Sequence, residues 1–307
     1  DLASLQDGTG ALEEITEGSN TGYRISGRDA ANYGDIGNNA IDLSYSNTTS
    51  TTNGATGTNS TAMGLNTRAQ SPNSTAIGQS TIASGFSSTA MGSFSQAQAN
   101  YTTAMGFYTT ASGTYSTAMG SNTTASQDYS TAMGSNTDAS GNTSTAMGGG
   151  TTASGNYSTA MGFNTEASGN YSTAMGDNTE ASGTNSTAMG YFTNASGSYS
   201  TAMGFSTEAS EDYSTAMGSG TTASGYGSTA MGGGAEASGD FSTAMGSASS
   251  AKSFAELAIG QYNTDYTPAG AASWNSADRL FVIGNGSSSS AKSDAMIVYK
   301  SGLAEFK

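Results

Sequence analysis

The sequence predicts an all-β protein, a parallel β-roll solenoid of 14-residue coils, and three observations lead to this fold class. First, Met or Ile recurs every fourteen residues from Met63 to Ile259, always with Ala before it and Gly after it. Second, another Ala series stands seven positions after the first, so that each unit consists of two half-turns. Third, Gly, Ser and Thr are so frequent in each unit that an α-helix is disfavoured. A fixed period without insertions is typical of repeat proteins, in which neighbouring coils share a core.

The composition fits a thin core and excludes several kinds of chemistry. The 307 residues include 43 Gly, 2 Pro, no Cys and no His, and the formal net charge is −15. Without His and Cys, His-based catalysis, a thiolate nucleophile and the usual zinc sites are excluded. The acidic balance argues against nucleic acids and anionic membranes as partners, because both need basic clusters. No apolar run is long enough to span a bilayer as a helix.

Changes of pattern along the chain predict three segments. Residues 1–45 are not repetitive, and the alternation in Tyr23–Ser26 and Ile41–Tyr45 predicts half-buried strands of an N-terminal cap. Residues 46–260 form the repeat body. Residues 261–307 break the period, contain the strongest aliphatic clusters and are predicted to be a C-terminal cap and trimer clamp. The first residue is Asp1, which is expected of a processed protein or a fragment.

The alternation of side chains along a strand predicts which residues of a coil face inward. If Ala118 points into the roll, then Thr117 and Met119 point out of the same strand. If Ala125 points inward on the return strand, Thr124 and Ser126 point outward. We therefore expect an interior lined by Ala, with Gly and small hydroxyl residues at the turns. One outer face carries Met and Thr, and the other carries Thr, Glu, Asp, Asn and Ser.

The outward Met and Ile residues predict an oligomer. Coils stack about 4.8 Å apart, so these side chains form one apolar stripe, and soluble monomers rarely leave such a stripe in water. The periodicity does not decide between two and three copies. The alternative is a monomer with Met inside the roll and Ala outside. The predicted interface, called the Met column below, comprises Met63, Ile77, Met91, Met105, Met119, Met133, Met147, Met161, Met175, Met189, Met203, Met217, Met231, Met245 and Ile259.

A column of aromatic residues is predicted near one turn of the coils. Two interpretations are open: the rings pack on each other or across subunits, or they form a platform for sugar rings or a receptor surface. This Tyr column comprises Tyr101, Tyr115, Tyr129, Tyr157, Tyr171, Tyr199 and Tyr213, and Phe241 is its last aromatic residue.

Other candidate chemistry is weaker. Glu166 and Glu180 occupy one position of the unit and could share a cation, but a solvated acidic face is the favoured explanation. No cluster of acids suited to glycan cleavage can be placed. The Thr column that starts at Thr61 and Thr75 raises ice binding as a minor alternative, although it stands beside the Met column. We therefore expect no catalytic residue, cofactor or metal ion, and a non-enzymatic protein.

The unit Ser116-Thr117-Ala118-Met119-Gly120, with Ala and usually Gly in its second half, resembles the YadA-like head repeat of trimeric autotransporter adhesins. The resemblance covers residues 60–260, although this chain uses Met and Thr where Ile and Val are commoner in the family. It implies a left-handed parallel β-roll, a homotrimer and an extracellular, cell-surface segment that attaches to a glycan or protein receptor. The tail from Arg279 to Phe306 resembles segments near the ends of phage tail-fibre proteins. A virion-surface fibre that binds a host receptor is therefore the alternative.

Overall fold

The computed structural model describes residues 11–307 and divides into two compact units, which are treated separately below. The first ends at Thr151 and the second comprises Thr152–Lys307. Within the described residues the fold is all-β, and one short 3-10 helix, Ala30–Asn32, is the only helical element. No helix in this part of the chain is long and apolar enough to cross a membrane. The first ten residues of the predicted N-terminal cap lie outside the described residues.

The first unit begins with an antiparallel pair and continues as a parallel solenoid. Its strands are β1 (Leu12–Glu17), β2 (Asn20–Ile25), β3 (Ile41–Tyr45), β4 (Gly54–Ala55), β5 (Thr61–Leu65), β6 (Arg68–Ala69), β7 (Thr75–Gln79), β8 (Ile82–Ala83), β9 (Thr89–Ser93), β10 (Gln96–Ala97), β11 (Thr103–Phe107), β12 (Thr110–Ala111), β13 (Thr117–Ser121), β14 (Thr124–Ala125), β15 (Thr131–Ser135), β16 (Asp138–Ala139) and β17 (Thr145–Gly149). β1 pairs antiparallel with β2, and β2 then pairs parallel with β3. The predicted strands at Tyr23 and Ile41 are thus confirmed.

The second unit continues the same alternation of five-residue and two-residue strands. Its strands are β18 (Thr152–Ala153), β19 (Thr159–Phe163), β20 (Glu166–Ala167), β21 (Thr173–Asp177), β22 (Glu180–Ala181), β23 (Thr187–Tyr191), β24 (Asn194–Ala195), β25 (Thr201–Phe205), β26 (Glu208–Ala209), β27 (Thr215–Ser219), β28 (Thr222–Ala223), β29 (Thr229–Gly233), β30 (Glu236–Ala237), β31 (Thr243–Ser247), β32 (Ser250–Ala251), β33 (Leu257–Gln261), β34 (Arg279–Asn285), β35 (Asp294–Tyr299) and β36 (Ala304–Phe306). β34 joins β33 in parallel, and β35 and β36 add antiparallel strands.

The register of the coils follows the sequence period. In each unit a five-residue strand pairs in parallel with the strand fourteen residues later, as in Met105↔Met119 and Met175↔Met189. The two-residue strands form a second parallel sheet, as in Ala111↔Ala125. Each coil therefore contributes one strand to each of two sheets, and equivalent residues form columns. The predicted parallel β-solenoid of 14-residue coils is confirmed.

The core lies between the two sheets and is lined by small residues. Ala118 and Ala125, like their equivalents in the other coils, are 0% exposed. Ser116 and Thr123, which precede the strands, are also 0% exposed, so that hydroxyl groups share the core with Ala. The alternative with Met inside and Ala outside is therefore wrong. A coil with seven residues per half-turn leaves no room for a longer side chain between its sheets.

Charged residues replace the small core residues near both ends of the solenoid. In β3, Asp42 pairs in register with Ala62 and is 0% exposed. Its carboxylate accepts a hydrogen bond from Arg24 Nε at 3.1 Å, and Arg24 also pairs with Glu17. In the second unit, Glu256 is 0% exposed and accepts hydrogen bonds from the backbone of Ser253 and from the Tyr266 hydroxyl. Buried charges of this kind need such partners.

Candidate functional site

The Met column lies on the outer surface of the five-residue strands. Within each unit its members are in register from one coil to the next, for example Met119↔Met133 and Met203↔Met217. Most of these side chains are half-buried in the single chain, and Met63 is 41% exposed. Outward Thr residues such as Thr117 stand on the same face, two positions before Met. Each unit therefore presents a mixed Met and Thr surface whose apolar part is only partly covered.

The glycine after each Met or Ile has a conformation that maintains this close stacking. Gly120 has φ +126°, and a Cβ at that position would lie 2.0 Å from the backbone oxygen of Gly134. Other residue types rarely adopt this backbone conformation. The repeated Ala-Met-Gly unit, with Ile77 and Ile259 in place of Met in two coils, thus combines an inward methyl group, an outward apolar side chain and a backbone conformation that favours glycine.

The Tyr column occupies a turn at which the backbone is left-handed. Tyr115 has φ +61° and Tyr171 has φ +58°, values that bulky residues seldom adopt. In the first unit, the Tyr115 ring lies 4.8 Å from the Tyr101 ring and 5.1 Å from the Tyr129 ring, with nearly parallel planes. In the second unit, Tyr157 and Tyr171 stack at 5.0 Å, as do Tyr199 and Tyr213 at 5.1 Å.

This stacking determines what the Tyr column displays. The rings are about half exposed, between 46% and 58% for the seven tyrosines. Because neighbouring rings cover each other's faces, the column presents mainly ring edges and phenol hydroxyl groups. At two ends of the stacks, Phe86 and Tyr226 contact Tyr101 and Tyr213 with their planes nearly perpendicular. The turn is also supported by side chains one position before the tyrosines: Asp128 Oδ1 accepts a hydrogen bond from the Thr114 amide, and Asp212 Oδ1 from that of Ser198, both at 2.8 Å.

The sequence interpretation missed a second set of aromatic residues at and beside the other turn, which are exposed except for the half-buried Phe94. In the first unit Phe94 and Tyr108 stack at 4.7 Å, and Phe107 meets Tyr108 edge to face at 4.5 Å. In the second unit Tyr191 lies close to Phe192 and Phe205. The signal was present, since Phe94, Tyr108 and Phe192 stand at a position of the unit where other coils have Asn, Ser or Gly.

The outer face of the two-residue strands carries the acidic residues. Glu166 and Glu180 are neighbours in register, and both are exposed. Burial raises the pKa of the Asp138 carboxyl at the equivalent position in the first unit. Among residues 11–307, no group of three or more Asp, Glu, His or Cys side chains is arranged to hold a metal ion. Glu166 and Glu180 therefore have no third acidic neighbour among the described residues of this face that could complete a cation site with them.

Comparison with known proteins identifies the repeat. The family model described as YadA head domain repeat (2 copies) matches residues 55–81, 83–109, 111–137, 139–165, 167–193, 195–221 and 223–249. No curated protein matches the chain. The seven matches include most of the coils that carry the Met and Tyr columns and cover more than half of the chain. By period, register and sequence, this chain belongs to the YadA head repeat family.

Proposed function

We propose that this chain is the head segment of a homotrimeric surface adhesin and that it attaches its bearer to a glycan or protein receptor. Heads of this family belong to trimeric autotransporter adhesins, form homotrimers in general and are displayed at the cell surface. The proposal places this chain in the same setting, as an extracellular and non-enzymatic segment with left-handed coils. Residues 1–45 and 261–307 serve as caps, with the second also acting as a trimer clamp.

The observation that carries the proposal is the half-exposed Met column on a solenoid whose own core is already filled by Ala. Each Met or Ile side chain contributes about 1.5–3 kcal/mol when it is fully buried. The single chain realises only part of this gain, because the column is half-buried. Packing of identical columns from sister chains would supply the rest. Coils repeat at the same spacing in every copy, so one favourable contact is repeated along the interface.

The Tyr column is proposed as part of the receptor surface. Its exposed hydroxyl groups and ring edges suit hydrogen bonds and apolar contacts with a receptor. Adhesion also needs a surface that remains accessible after assembly. The Tyr column stands at a turn, whereas the Met column stands on a strand face. Both surfaces can therefore act in one assembly.

Association is tested with one substitution in the Met column and one outside it. Met147→Asp places a charge in the proposed interface, whereas Glu166→Lys changes an exposed residue of the other sheet. We expect the unmodified protein to have a native mass three times 30.5 kDa, and Met147→Asp to weaken association far more than Glu166→Lys. Native mass spectrometry over a dilution series measures both. Equal effects of the two substitutions, or a monomeric unmodified protein, would contradict the proposed interface.

Attachment is tested separately from assembly. Beads coated with the trimer should adhere to cultured cells or to immobilised matrix proteins more than beads coated with an unrelated β-solenoid. Tyr115→Asn combined with Tyr129→Asn should reduce adhesion while leaving the native mass unchanged. A trimer that adheres to none of these surfaces would retain the assembly proposal and remove the adhesion proposal. The tail-fibre and ice-binding alternatives stay predictions, and the family match favours the adhesin.

A further inference from the structure

A groove of about 300 Å³ lies in the first unit, where the coils depart most from the repeat. Its lining includes Arg68 and Gln96 from the outer face of the two-residue strands, and Ser80, Phe94 and Tyr108 from the adjacent turn. In later coils these positions carry mostly Thr, Glu and Asn. The volume is at the lower end of that of small-ligand sites. Because the two-residue strands form the sheet opposite the Met column, the groove does not coincide with the proposed trimer interface.

Arg68 is the only basic residue between positions 64 and 250 of a chain with net charge −15. Its Nε donates a hydrogen bond to Asn53 Oδ1 at 2.9 Å, and Asn53 is 1% exposed, so the guanidinium is anchored at one edge. Among residues 11–307, Arg68 forms no ion pair, and its two terminal nitrogens make no hydrogen bond. An anchored guanidinium with free terminal nitrogens matches the two oxygens of a carboxylate.

Phe94 supplies a flat apolar wall. Its ring stacks on Tyr108 at 4.7 Å with an angle of 8° between the planes, so Tyr108 covers one face. On the other side, the next residue of the same column is Ser80, which is too small to cover the second face. The open face of Phe94 therefore borders the groove. Aromatic faces are negative, which favours contact with the polarised C–H groups of a pyranose ring.

Ile82, which pairs in register with both Arg68 and Gln96, adds an apolar patch, and polar side chains form the rest of the lining. Asn66 contributes a side-chain amide to the lining. Ser80 adds a hydroxyl group, and Gln96 adds a side-chain amide on the opposite side. A cation, an open aromatic face and several uncharged polar groups thus surround one small space.

We propose that this groove binds a monosaccharide unit that bears a carboxylate. The carboxylate pairs with Arg68, the C–H face of the sugar ring packs on Phe94, and the hydroxyl groups bond to the polar lining. No Asp or Glu stands between Asp42 and Asp128, so no carboxylate of this stretch repels the ligand, and the single cation would leave the further charges of a polyanion unpaired. The inference goes beyond the proposed adhesin role, because the site lies within one chain and requires neither the trimer nor a cell.

The test measures binding of small probes to the full chain by NMR titration. The probes are methyl glucuronide, the neutral methyl glucoside and acetate, which is a carboxylate without a ring. We expect methyl glucuronide to bind at least about tenfold more tightly than either of the other two, because it alone offers both contacts. Equal affinity for acetate and methyl glucuronide would overturn the sugar proposal and indicate a general carboxylate site, as an acidic peptide would use.

The variants are chosen from residues that the same columns already contain. Arg68→Gln introduces the residue found at position 96, and Phe94→Asn introduces the residue found at position 66, so both fit the coil. Each should weaken methyl glucuronide binding about tenfold or more, whereas Thr124→Asn, which introduces the residue found at position 194 of the same column outside the groove, should not change it. Retained affinity in Arg68→Gln would overturn the proposal. The native mass of each sample shows whether the trimer is intact, which separates loss of the groove from loss of assembly.

Discussion

Two adjacent glycines in a Met-bearing strand differ in whether alanine can replace them. Gly232 has φ +122°, and a Cβ there would lie 2.1 Å from the backbone oxygen of Gly246. Gly233 has no atom within 4 Å of such a Cβ and lacks a positive φ. Gly232→Ala should therefore destabilise the protein by about 2–4 kcal/mol, whereas Gly233→Ala should change stability by less than about 0.5 kcal/mol. Denaturant unfolding monitored by circular dichroism compares the two variants directly. Similar stabilities would contradict the close coil contact at Gly232.

The Tyr266 hydroxyl makes the C-terminal region sensitive to alkaline pH. Burial, together with the neighbouring Glu256 carboxylate, raises the pKa of Tyr266 well above its usual value of 10.0. A group with a raised folded-state pKa contributes stability that is complete below its unfolded pKa and is lost as pH rises towards the folded pKa. Thermal stability should therefore fall above pH 10 by more in the unmodified protein than in Tyr266→Phe. The difference between the two melting curves, measured from pH 9 to 11.5, cancels the other tyrosines. An identical pH dependence would contradict the coupling to folding.

The sequence predicted the inward or outward direction of a side chain only where that direction follows from the alternation along a strand. Ala118 inside and Met119 outside follow from the pleat of a strand and from the seven-residue spacing of Ala. Small hydroxyl residues at the turns of the interior were expected, and Thr123 is one of them, but its hydroxyl group has no hydrogen-bond partner, which the sequence pattern does not predict. The left-handed backbone at Tyr115 was also missed, because Asn or Gly usually marks such a position.

At the scale of one element, each coil consists of two half-coils that share the same arrangement of turn, buried hydroxyl residue and buried Ala. Each half has one left-handed turn residue, as at Tyr115 and Asn122. Each also has one buried hydroxyl residue and one buried Ala in the following strand. The seven-residue spacing of Ala predicted this division. It could not predict that the halves end in strands of five and two residues, because that difference depends on which backbone groups meet the next coil.

In the Tyr column, the free energy gained from ring stacking opposes the free energy cost of the left-handed backbone. A left-handed conformation costs a bulky residue about 1–2 kcal/mol, and an aromatic pair contributes about 0.5–1.5 kcal/mol. Tyr115 has stacked neighbours on both faces, whereas Tyr171 has a stacked neighbour, Tyr157, on only one. Replacement by Asn relieves the strain at both sites, but it removes two stacks from the first and one from the second. Tyr115→Asn should therefore be less stable than Tyr171→Asn by about 0.5–1.5 kcal/mol. Chemical denaturation decides this, and an equal or reversed order would show that stacking does not maintain the column.

The ends of the repeat were the least predictable elements. The strand at Ile41 could be recognised from alternation, and the aliphatic clusters of residues 261–307 indicated a cap. Nothing in the local pattern indicated that Asp42 would take the inward position of the Ala column and pair with Arg24. That arrangement depends on a contact between residues eighteen positions apart. Periodicity predicts the structure of the repeated coils. The caps occur once each, so no repeated pattern indicates their contacts.

At the scale of the whole molecule, the repeat coils fill their core with Ala and small hydroxyl residues and leave their larger apolar side chains at the surface, whereas Ile36, Val282 and Ile297 are buried outside these coils. This distribution is the reverse of that in a globular domain, where Met and Ile are mostly inside. The groove at Arg68 and the Tyr column both lie on turns and outer faces, where residues can vary without changing the core. Assembly and recognition can therefore change independently along such a chain.

The Met column gives a whole-molecule prediction for oxidation by peroxide. A thioether that is half-buried in one chain becomes inaccessible when sister columns pack on it, and oxidation to the sulfoxide follows exposure. In the assembled protein, Met119 and Met133 should therefore resist peroxide, whereas both should be oxidised several-fold faster in Met147→Asp if that substitution separates the chains. Peptide mass spectrometry after timed exposure gives the rate at each site. A short unstructured peptide that contains one Met, added to both samples, serves as the reference, because its oxidation rate does not depend on assembly. Rapid and uniform oxidation of the native assembly would mean that the sulfur atoms face solvent. It would remove the physical reason for association, because a Met column that remains solvated in the assembly gains no free energy of burial.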